Sequence, residues 1–175
     1  AMTSILESAP LIKKIKISKM IFPIEKVLFQ LVNFAISLIA VVIVMVFFRI
    51  APTVNLLALP LLLVYMLLFC SGLGMLLSAL AVFFRDICHF WSVIITAWTY
   101  ATPLFYPVSL LPDWMQTAEA FNPMYHYVSY FRDIAMYNTL PGVQENLVCL
   151  GIAAITFAVG FLVFRKTEKK FILYV

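Results

Sequence analysis

The sequence predicts an all-α integral membrane protein with four membrane-spanning helices and a pair of short helices at one face. Of its 175 residues, 65% are hydrophobic and 11% are charged, and the mean hydropathy is +1.05. Soluble domains are about half apolar and a quarter charged. A second observation is the presence of four long apolar runs. The third is the segment 98–138, called here the aromatic segment, which contains four prolines and many aromatic residues.

Residues 1–26 form a basic segment that precedes the first apolar run. Apolar residues from Leu11 onward recur at helical spacing, and Lys13, Lys14 and Lys16 lie off that face. This pattern favours a short amphipathic helix on the membrane surface, and Pro23 either ends this helix or redirects the chain. A charged flank that anchors the following span is the alternative.

The remaining residues, 27–175, form the predicted transmembrane domain. Its four spans are expected at 27–48, 56–84, 90–107 and 147–164. The first has 22 residues, close to the roughly 20 needed to cross the hydrocarbon core. The second is longer, so we expect it to tilt.

The third span is short, and its far end is interrupted by Pro103, which removes an N–H donor. Irregular backbone at membrane depth needs protein or water to satisfy it. Beyond it, residues 109–121 and 124–137 each read as a short helix, joined by Asn122-Pro123. We expect these two helices, spanning about 109–137, to form a re-entrant hairpin that dips into one leaflet.

Small residues repeat at helical spacing in the second and fourth spans and predict that these helices pack together. The positions are Ser71, Gly74 and Ser78 in the second span and Gly151, Ala154 and Ala158 in the fourth.

The positive charges predict the topology. In a four-span arrangement, ten of the twelve Lys and Arg residues lie on the side of the N-terminal segment and of the tail 165–175. The positive-inside rule places that side in the cytoplasm and the aromatic segment outside. A fifth span through the aromatic segment would place Asp113, Glu119, Arg132 and Asp133 at membrane depth, at about 2.5–3.5 kcal/mol for each central charge.

No catalytic, cofactor-binding or metal-binding motif is visible. The sequence has no P-loop, GxSxG or HExxH pattern, and its three cysteines are dispersed. Work against a gradient would therefore draw energy from another subunit. A membrane enzyme acting on lipid-linked sugars remains an alternative, with His126 and Asp133 as the one acid–base pair available.

Five short motifs occur in an order that resembles the permease subunit of ABC-2 type exporters for polysaccharides, O-antigens and teichoic acids. They are Phe22-Pro23, FRDICHFW at 84–91, TPLFYP at 102–107, LLPDW at 110–114 and FNPMYHYVSYFRD at 121–133.

The resemblance implies a six-helix permease, of which this chain holds the last four helices, working as a homodimer. Each protomer would bind a cytoplasmic ABC ATPase, which holds the ATP and Mg²⁺. The pair would export a lipid-linked polysaccharide or teichoic acid across the bacterial cytoplasmic membrane, without a role for nucleic acid. Two alternative functions remain open: an ABC-2 exporter of small molecules, and a non-transporting membrane fragment or scaffold.

The resemblance also assigns residues. Those expected to contact the ATPase are Leu11, Lys13, Lys14, Lys16, Phe22, Pro23, Arg85 and Asp86. Those expected at the channel and gate are Trp98, Tyr100, Phe105, Tyr106, Trp114, Tyr125 and Tyr127.

Overall fold

The computed structural model describes residues 19–47, 54–84, 86–104, 106, 108–168 and 171, and over these residues the fold is entirely helical. The helices are α1 (Ile21–Phe47), α2 (Leu59–Phe83), α3 (Ile87–Ala101), α4 (Asp113–Glu119), α5 (Pro123–Ala135) and α6 (Val143–Thr167). Short 3-10 turns occupy Val54–Ala58 and Val108–Leu110. The predicted surface helix, up to residue 18, and most of the tail beyond 168 lie outside the described residues.

Three helical segments are long and apolar enough to cross a membrane. They are Ile21–Met45, Asn55–Phe83 and Val143–Thr167, with mean hydropathies of 2.6, 2.4 and 2.7. They coincide with the predicted spans 27–48, 56–84 and 147–164, although the first and last begin earlier than predicted. Pro23 lies inside the first turn of α1, where a missing N–H is tolerated, and the surface helix that it was predicted to end lies outside the described residues.

The third predicted span, 90–107, is shorter than expected at its far end. Helix α3 has 15 residues and stops at Ala101, so it is about 22 Å long at 1.5 Å per residue. Thr102 is extended, with φ −66° and ψ 130°, because the ring of Pro103 disfavours helical geometry in the residue before it. A length of about 22 Å is less than the roughly 30 Å of a hydrocarbon core.

Helices α2 and α6 make the most extensive interhelical contact among the described residues. They cross where Gly72 meets Gly160, and this crossing is called the glycine crossing. A Cβ on Gly160 would lie 2.0 Å from the carbonyl oxygen of Gly72, and one on Gly72 would lie 2.5 Å from the Cα of Phe157. The backbones approach so closely that neither position has space for a side chain.

The prediction that the second and fourth spans pack together is confirmed, but the predicted face of α6 is wrong. Ser71, Gly74 and Ser78 of α2 are buried as expected. On α6, however, Ala154 and Ala158 are exposed, and the buried small residues are Cys149, Ala153 and Gly160. The close approach at the glycine crossing determines which face of α6 is buried. That face is rotated about the helix axis relative to the predicted stripe of Gly151, Ala154 and Ala158.

The bundle has two distinct ends. At the first, called the basic end, α1 begins and α6 finishes, and the Lys19 ammonium donates to the Glu168 carbonyl at 2.6 Å. Lys19 also lies 5.7 Å from the centre of the Phe171 ring, a distance typical of cation–π contact.

At the opposite end, called the hairpin end, the turn before α2 meets the segment that follows α5. The Asn55 amide donates to the Asn138 carbonyl oxygen and to its side-chain oxygen, at 2.7 and 2.9 Å. Asn138 has φ 55°, a left-handed conformation that asparagine tolerates better than most residues.

The two helices predicted at 109–121 and 124–137 are present as α4 and α5. Helix α4 is shorter than predicted, since a 3-10 turn and Pro112 precede it. Helix α5 starts at Pro123, with Asn122 as its N-cap. Together α4 and α5 are called the hairpin, and residues 120–122 are its tip.

Candidate functional site

A polar junction joins the hairpin tip to the end of α3, and its centre is Asn122. The Asn122 side-chain oxygen accepts from the Trp98 indole N–H at 2.8 Å and from the Met124 backbone N–H at 3.1 Å. Its amide nitrogen donates to the Thr102 hydroxyl at 3.0 Å and to the Glu119 carboxylate at 2.8 Å. One amide thus uses both donors and both acceptor positions to connect α3, α4 and α5.

Glu119 gives this junction a buried charged group. Its side chain is only 7% exposed, and Asn122 is its hydrogen-bond partner among the described residues. A buried carboxylate is stable only where hydrogen bonds replace water. Asn122 therefore donates the hydrogen bond that the buried Glu119 carboxyl group needs, in addition to capping α5.

Arg132 of α5 donates hydrogen bonds to backbone carbonyl oxygens that follow the end of α3. Its guanidinium donates to the carbonyl oxygens of Pro103 and Leu104, both at 2.8 Å. These carbonyls follow the point where α3 ends, so they have no helical partner. Hydrogen bonds from a charged donor are about twice as strong as neutral ones, and Arg132 supplies the protein partner that irregular backbone requires.

The inner face of α5 is anchored by tyrosines against α2 and α6. The Tyr130 hydroxyl donates to the Asn146 side-chain oxygen at 2.8 Å, and its ring meets Tyr65 edge-on at 6.3 Å. The Tyr127 ring lies 5.5 Å from that of Phe69. Phe69 is about ten residues into α2, roughly 15 Å along its axis, so the hairpin descends well into the bundle.

Three of the predicted channel aromatics are exposed or near the surface at the hairpin end. Tyr100 and Trp114 are 72% and 71% exposed. The Tyr106 hydroxyl donates to the carbonyls of Tyr100 and Ala101, at 3.0 and 2.7 Å. Tyr106 therefore caps the last turn of α3 next to the exposed Tyr100 ring.

The other predicted aromatics differ in accessibility. Trp98 is committed to the junction and meets Trp91 edge-on at 6.3 Å. Tyr125 is half-buried, whereas Tyr127 is only 2% exposed, so its ring belongs to the packed core of this structure. Phe105 lies outside the described residues.

Few of the residues predicted to contact an ATPase fall in the part of the chain that is described. Leu11, Lys13, Lys14, Lys16 and Arg85 lie outside it. Phe22 is half-buried, and Pro23 is fully buried in the first turn of α1. Asp86 is exposed at the basic end and caps nothing with its side chain.

One face of α3 carries hydroxyl groups that the sequence analysis did not single out. Ser92, Thr96 and Thr99 are exposed, and each donates its proton to a carbonyl of α3, at 2.6, 2.8 and 2.7 Å. Their oxygens remain as acceptors. The i, i+4, i+7 spacing of the three hydroxyl residues was the available signal.

Comparison with known proteins gives consistent matches. Residues 4–136 match the ABC-2 type transporter family. The chain is similar to the O-antigen export system permease protein RfbA of Myxococcus xanthus, at 25% identity over 97% of this chain and 66% of that protein. It is also similar to RfbA of Klebsiella pneumoniae, at 24% identity over 96% of this chain and 65% of that protein.

The chain spans slightly less than two thirds of the length of these relatives. The family match nevertheless covers most of the chain, including the hairpin. This chain therefore belongs to the ABC-2 type transporter family.

Proposed function

We propose that this chain is part of the permease subunit of an ATP-driven exporter that moves a lipid-linked polysaccharide across the bacterial cytoplasmic membrane. The observation that carries the proposal is the match of residues 4–136 to the ABC-2 family, together with similarity along nearly the whole chain to proteins named O-antigen export permeases. ATP hydrolysis belongs to a separate ABC ATPase subunit, and the permease works as a homodimer.

The charge distribution supports an orientation with the basic end in the cytoplasm. Lys19, Lys26, Arg165 and Lys166 lie at that end, and Arg132 lies at the hairpin end. The positive-inside rule then places the C-terminus in the cytoplasm and the hairpin outside. The ATPase would contact the basic segment 11–23 and the turn at Arg85 and Asp86.

The short length of α3 supports a third span that is completed by a re-entrant hairpin. About 22 Å of helix ends at Thr102, short of a full crossing. The hairpin tip meets α3 at that point, through Asn122 and Trp98. The tip thus lies within the outer leaflet, with its polar groups satisfied by Asn122 and Arg132.

The exposed side of α3 supports a path for sugar. Ser92, Thr96 and Thr99 offer hydroxyl oxygens, and Tyr100 offers an exposed ring further along the same helix. Such a surface hydrogen-bonds and stacks without requiring one particular sugar. Trp114 and Tyr106 extend it toward the hairpin, and Tyr127 would join it only if α5 moved.

The test is purification of the full-length permease from native membranes, combined with its depletion in cells. We expect an ABC ATPase in roughly equal amount, and intracellular accumulation of lipid-linked polysaccharide when the permease is depleted. Charge reversal at Lys13, Lys14 and Lys16 should abolish export while the permease still reaches the membrane. Unchanged surface glycan with new sensitivity to small toxic compounds would instead favour the small-molecule exporter.

The depth of the hairpin tip is tested separately with single cysteines in a background without native cysteines. Phe121→Cys at the tip should react slowly with a membrane-impermeant maleimide added outside. Leu140→Cys, after α5, should react quickly, since both positions are exposed on the protein itself. Equal, fast reaction at both would contradict the re-entrant placement.

A further inference from the structure

A cleft opens between the outer side of α5 and the start of α6, separate from the exposed face of α3. Its volume is about 650 Å³, within the roughly 300–1,000 Å³ of small-molecule sites. Aromatic and polar side chains line it together, among them Tyr125, His126, Ser129, Asp133, Gln144 and Glu145.

Three rings of the cleft are ordered by contacts within the protein. The Tyr125 and His126 rings meet edge-on at 5.6 Å, and the His126 Nε2 lies 2.8 Å from the Ala120 carbonyl oxygen. Tyr130 is held by its hydrogen bond to Asn146. A ring that is already ordered loses little conformational entropy when a ligand stacks on it.

The polar groups of the cleft are largely uncommitted. Within the described part of the chain, the side chains of Ser129, Asp133 and Gln144 have no hydrogen-bond partner. Glu145 uses one carboxylate oxygen to accept from the Gly142 backbone N–H at 3.2 Å, which leaves the other free. The cleft therefore presents two carboxylates, an amide and a hydroxyl beside its aromatic surface.

The electrostatics of the cleft disfavour anions. Burial raises the pKa of Asp133, and the nearby Glu145 carboxylate raises it further. No Lys or Arg is among the residues that line the cleft. Arg132, adjacent in sequence to Asp133, is occupied with the carbonyls of Pro103 and Leu104.

This combination matches the chemistry of a sugar ring. A pyranose has a face of C–H groups, which stacks weakly on an aromatic ring, and an edge of hydroxyls, which hydrogen-bond strongly to carboxylates and amides. We propose that the α5–α6 cleft binds saccharides and selects neutral or amino sugars over anionic ones. The proposal rests on the proposed function, since it places a second sugar contact on the outer side of the hairpin.

Binding is tested on the full-length permease with its ATPase partner in lipid nanodiscs. Saturation-transfer NMR would use three neutral tetrasaccharides, of N-acetylglucosamine, glucose and mannose, and the anionic tetragalacturonate. We expect at least one neutral probe to bind and tetragalacturonate not to bind. Tyr125→Ala should weaken neutral binding about tenfold, the loss expected for one stacking contact of ~1.4 kcal/mol.

A charge variant tests the selectivity. The double variant Asp133→Asn with Glu145→Gln keeps the shape of the cleft, and the new amide at position 145 retains an oxygen for the Gly142 N–H. It should allow tetragalacturonate to bind. Tyr137→Ala is the matched control, because Tyr137 is 68% exposed at the end of the same segment and does not line the cleft. It should leave all binding unchanged.

Three results would overturn the proposal: no probe binds, Tyr125→Ala and Tyr137→Ala behave alike, or calorimetry detects Ca²⁺ binding that the charge variant removes while saccharides do not bind. A parallel export assay separates the two claims. Export without saccharide binding at the cleft would remove the cleft proposal and retain the proposed function. Saccharide binding without any glycan export by the wild-type complex would retain the cleft proposal and remove the proposed function.

Discussion

The glycine crossing and the polar junction hold helices together by opposite means. At the crossing, the backbones of α2 and α6 touch, and no side chain or hydrogen bond is needed to fix their distance. At the junction, α3 and the hairpin stay together through side-chain hydrogen bonds centred on Asn122 and Arg132. Steric contact gives a rigid element, whereas a hydrogen-bond network can exchange partners. The glycine crossing is therefore a fixed part of this chain, and the polar junction is a part suited to move.

The largest effect should come from adding one methyl group at the crossing. Gly160→Ala would place a Cβ 2.0 Å from the Gly72 carbonyl oxygen, so α2 and α6 must separate. Overpacking usually costs roughly 1–3 kcal/mol, and contact with backbone puts this variant at about 3 kcal/mol or more. Thermal unfolding in detergent measures the loss.

Gly151→Ala is the matched control on the same helix. A Cβ there meets no atom within 4 Å, and alanine favours helix by up to about 1 kcal/mol over glycine. We expect an unchanged or slightly higher unfolding temperature. Equal destabilisation by the two substitutions would show that the crossing is not rigid.

The next effect should come from Arg132. Arg132→Met leaves the carbonyls of Pro103 and Leu104 without their donor, at about 1.5–3 kcal/mol for a bond to a charged group. Arg132→Lys should recover part of this, since a single ammonium retains the charge but not the planar geometry. Hydrogen exchange at the backbone amides of Ala101, Thr102 and Leu104 is the measurement. Unchanged protection in Arg132→Met would mean that another group holds this backbone.

A smaller loss of stability is expected from substitutions at Asn122. Comparing different substitutions there separates its roles as hydrogen-bond donor and as hydrogen-bond acceptor. Asn122→Asp keeps the acceptor for Trp98 and Met124 but loses the donor and faces Glu119 with a second carboxylate. Asn122→Asp should therefore unfold at a lower temperature in detergent than Asn122→Ala. Trp98→Phe, which removes one bond, should cost about 1 kcal/mol. An Asn122→Asp variant at least as stable as Asn122→Ala would contradict this account of the junction.

The smallest effect should come from Asp133→Asn. Burial raises the pKa of Asp133 above its usual value, so the folded state binds a proton more tightly than the unfolded state. Stability then falls as pH rises through the interval from the ordinary pKa of 3.8 to the raised pKa, and stays lower above it. Removing this charge should raise the unfolding temperature at pH 7 by about 1–2 °C. A fall would mean that the ionised Asp133 makes a stabilising contact.

Sequence periodicity predicted the helices well because long apolar runs have few alternatives in a membrane. It could not predict the phase of α6, since Gly151, Ala154 and Ala158 form as good a small-residue stripe as Ala153 and Gly160. Only the partner helix decides between the two stripes. The sequence also predicted that Pro103 would break α3, but not that Arg132, 29 residues later, would satisfy the break.

The hairpin shows the same limit for single side chains. Helix α5 carries tyrosines on several faces, so spacing did not separate the buried Tyr127 from the partly exposed Tyr125. Asn122-Pro123 was read as a helix break. Its additional role as a junction depends on Trp98 and Thr102, which reach it only after the chain folds.

The bond between Lys19 and Glu168 has a mechanical consequence. Lys19 lies near the end of the basic segment proposed to contact the ATPase, and its ammonium is fastened to the base of α6 at 2.6 Å. A displacement of that segment would be transmitted directly to α6. The close backbone contact at the glycine crossing would then move α2 together with α6. The two helices would then move as one rigid unit. At its other end this unit contacts α5 through Tyr65 and Asn146. A force applied at the basic end would thereby be transmitted to the hairpin at the opposite end of the bundle.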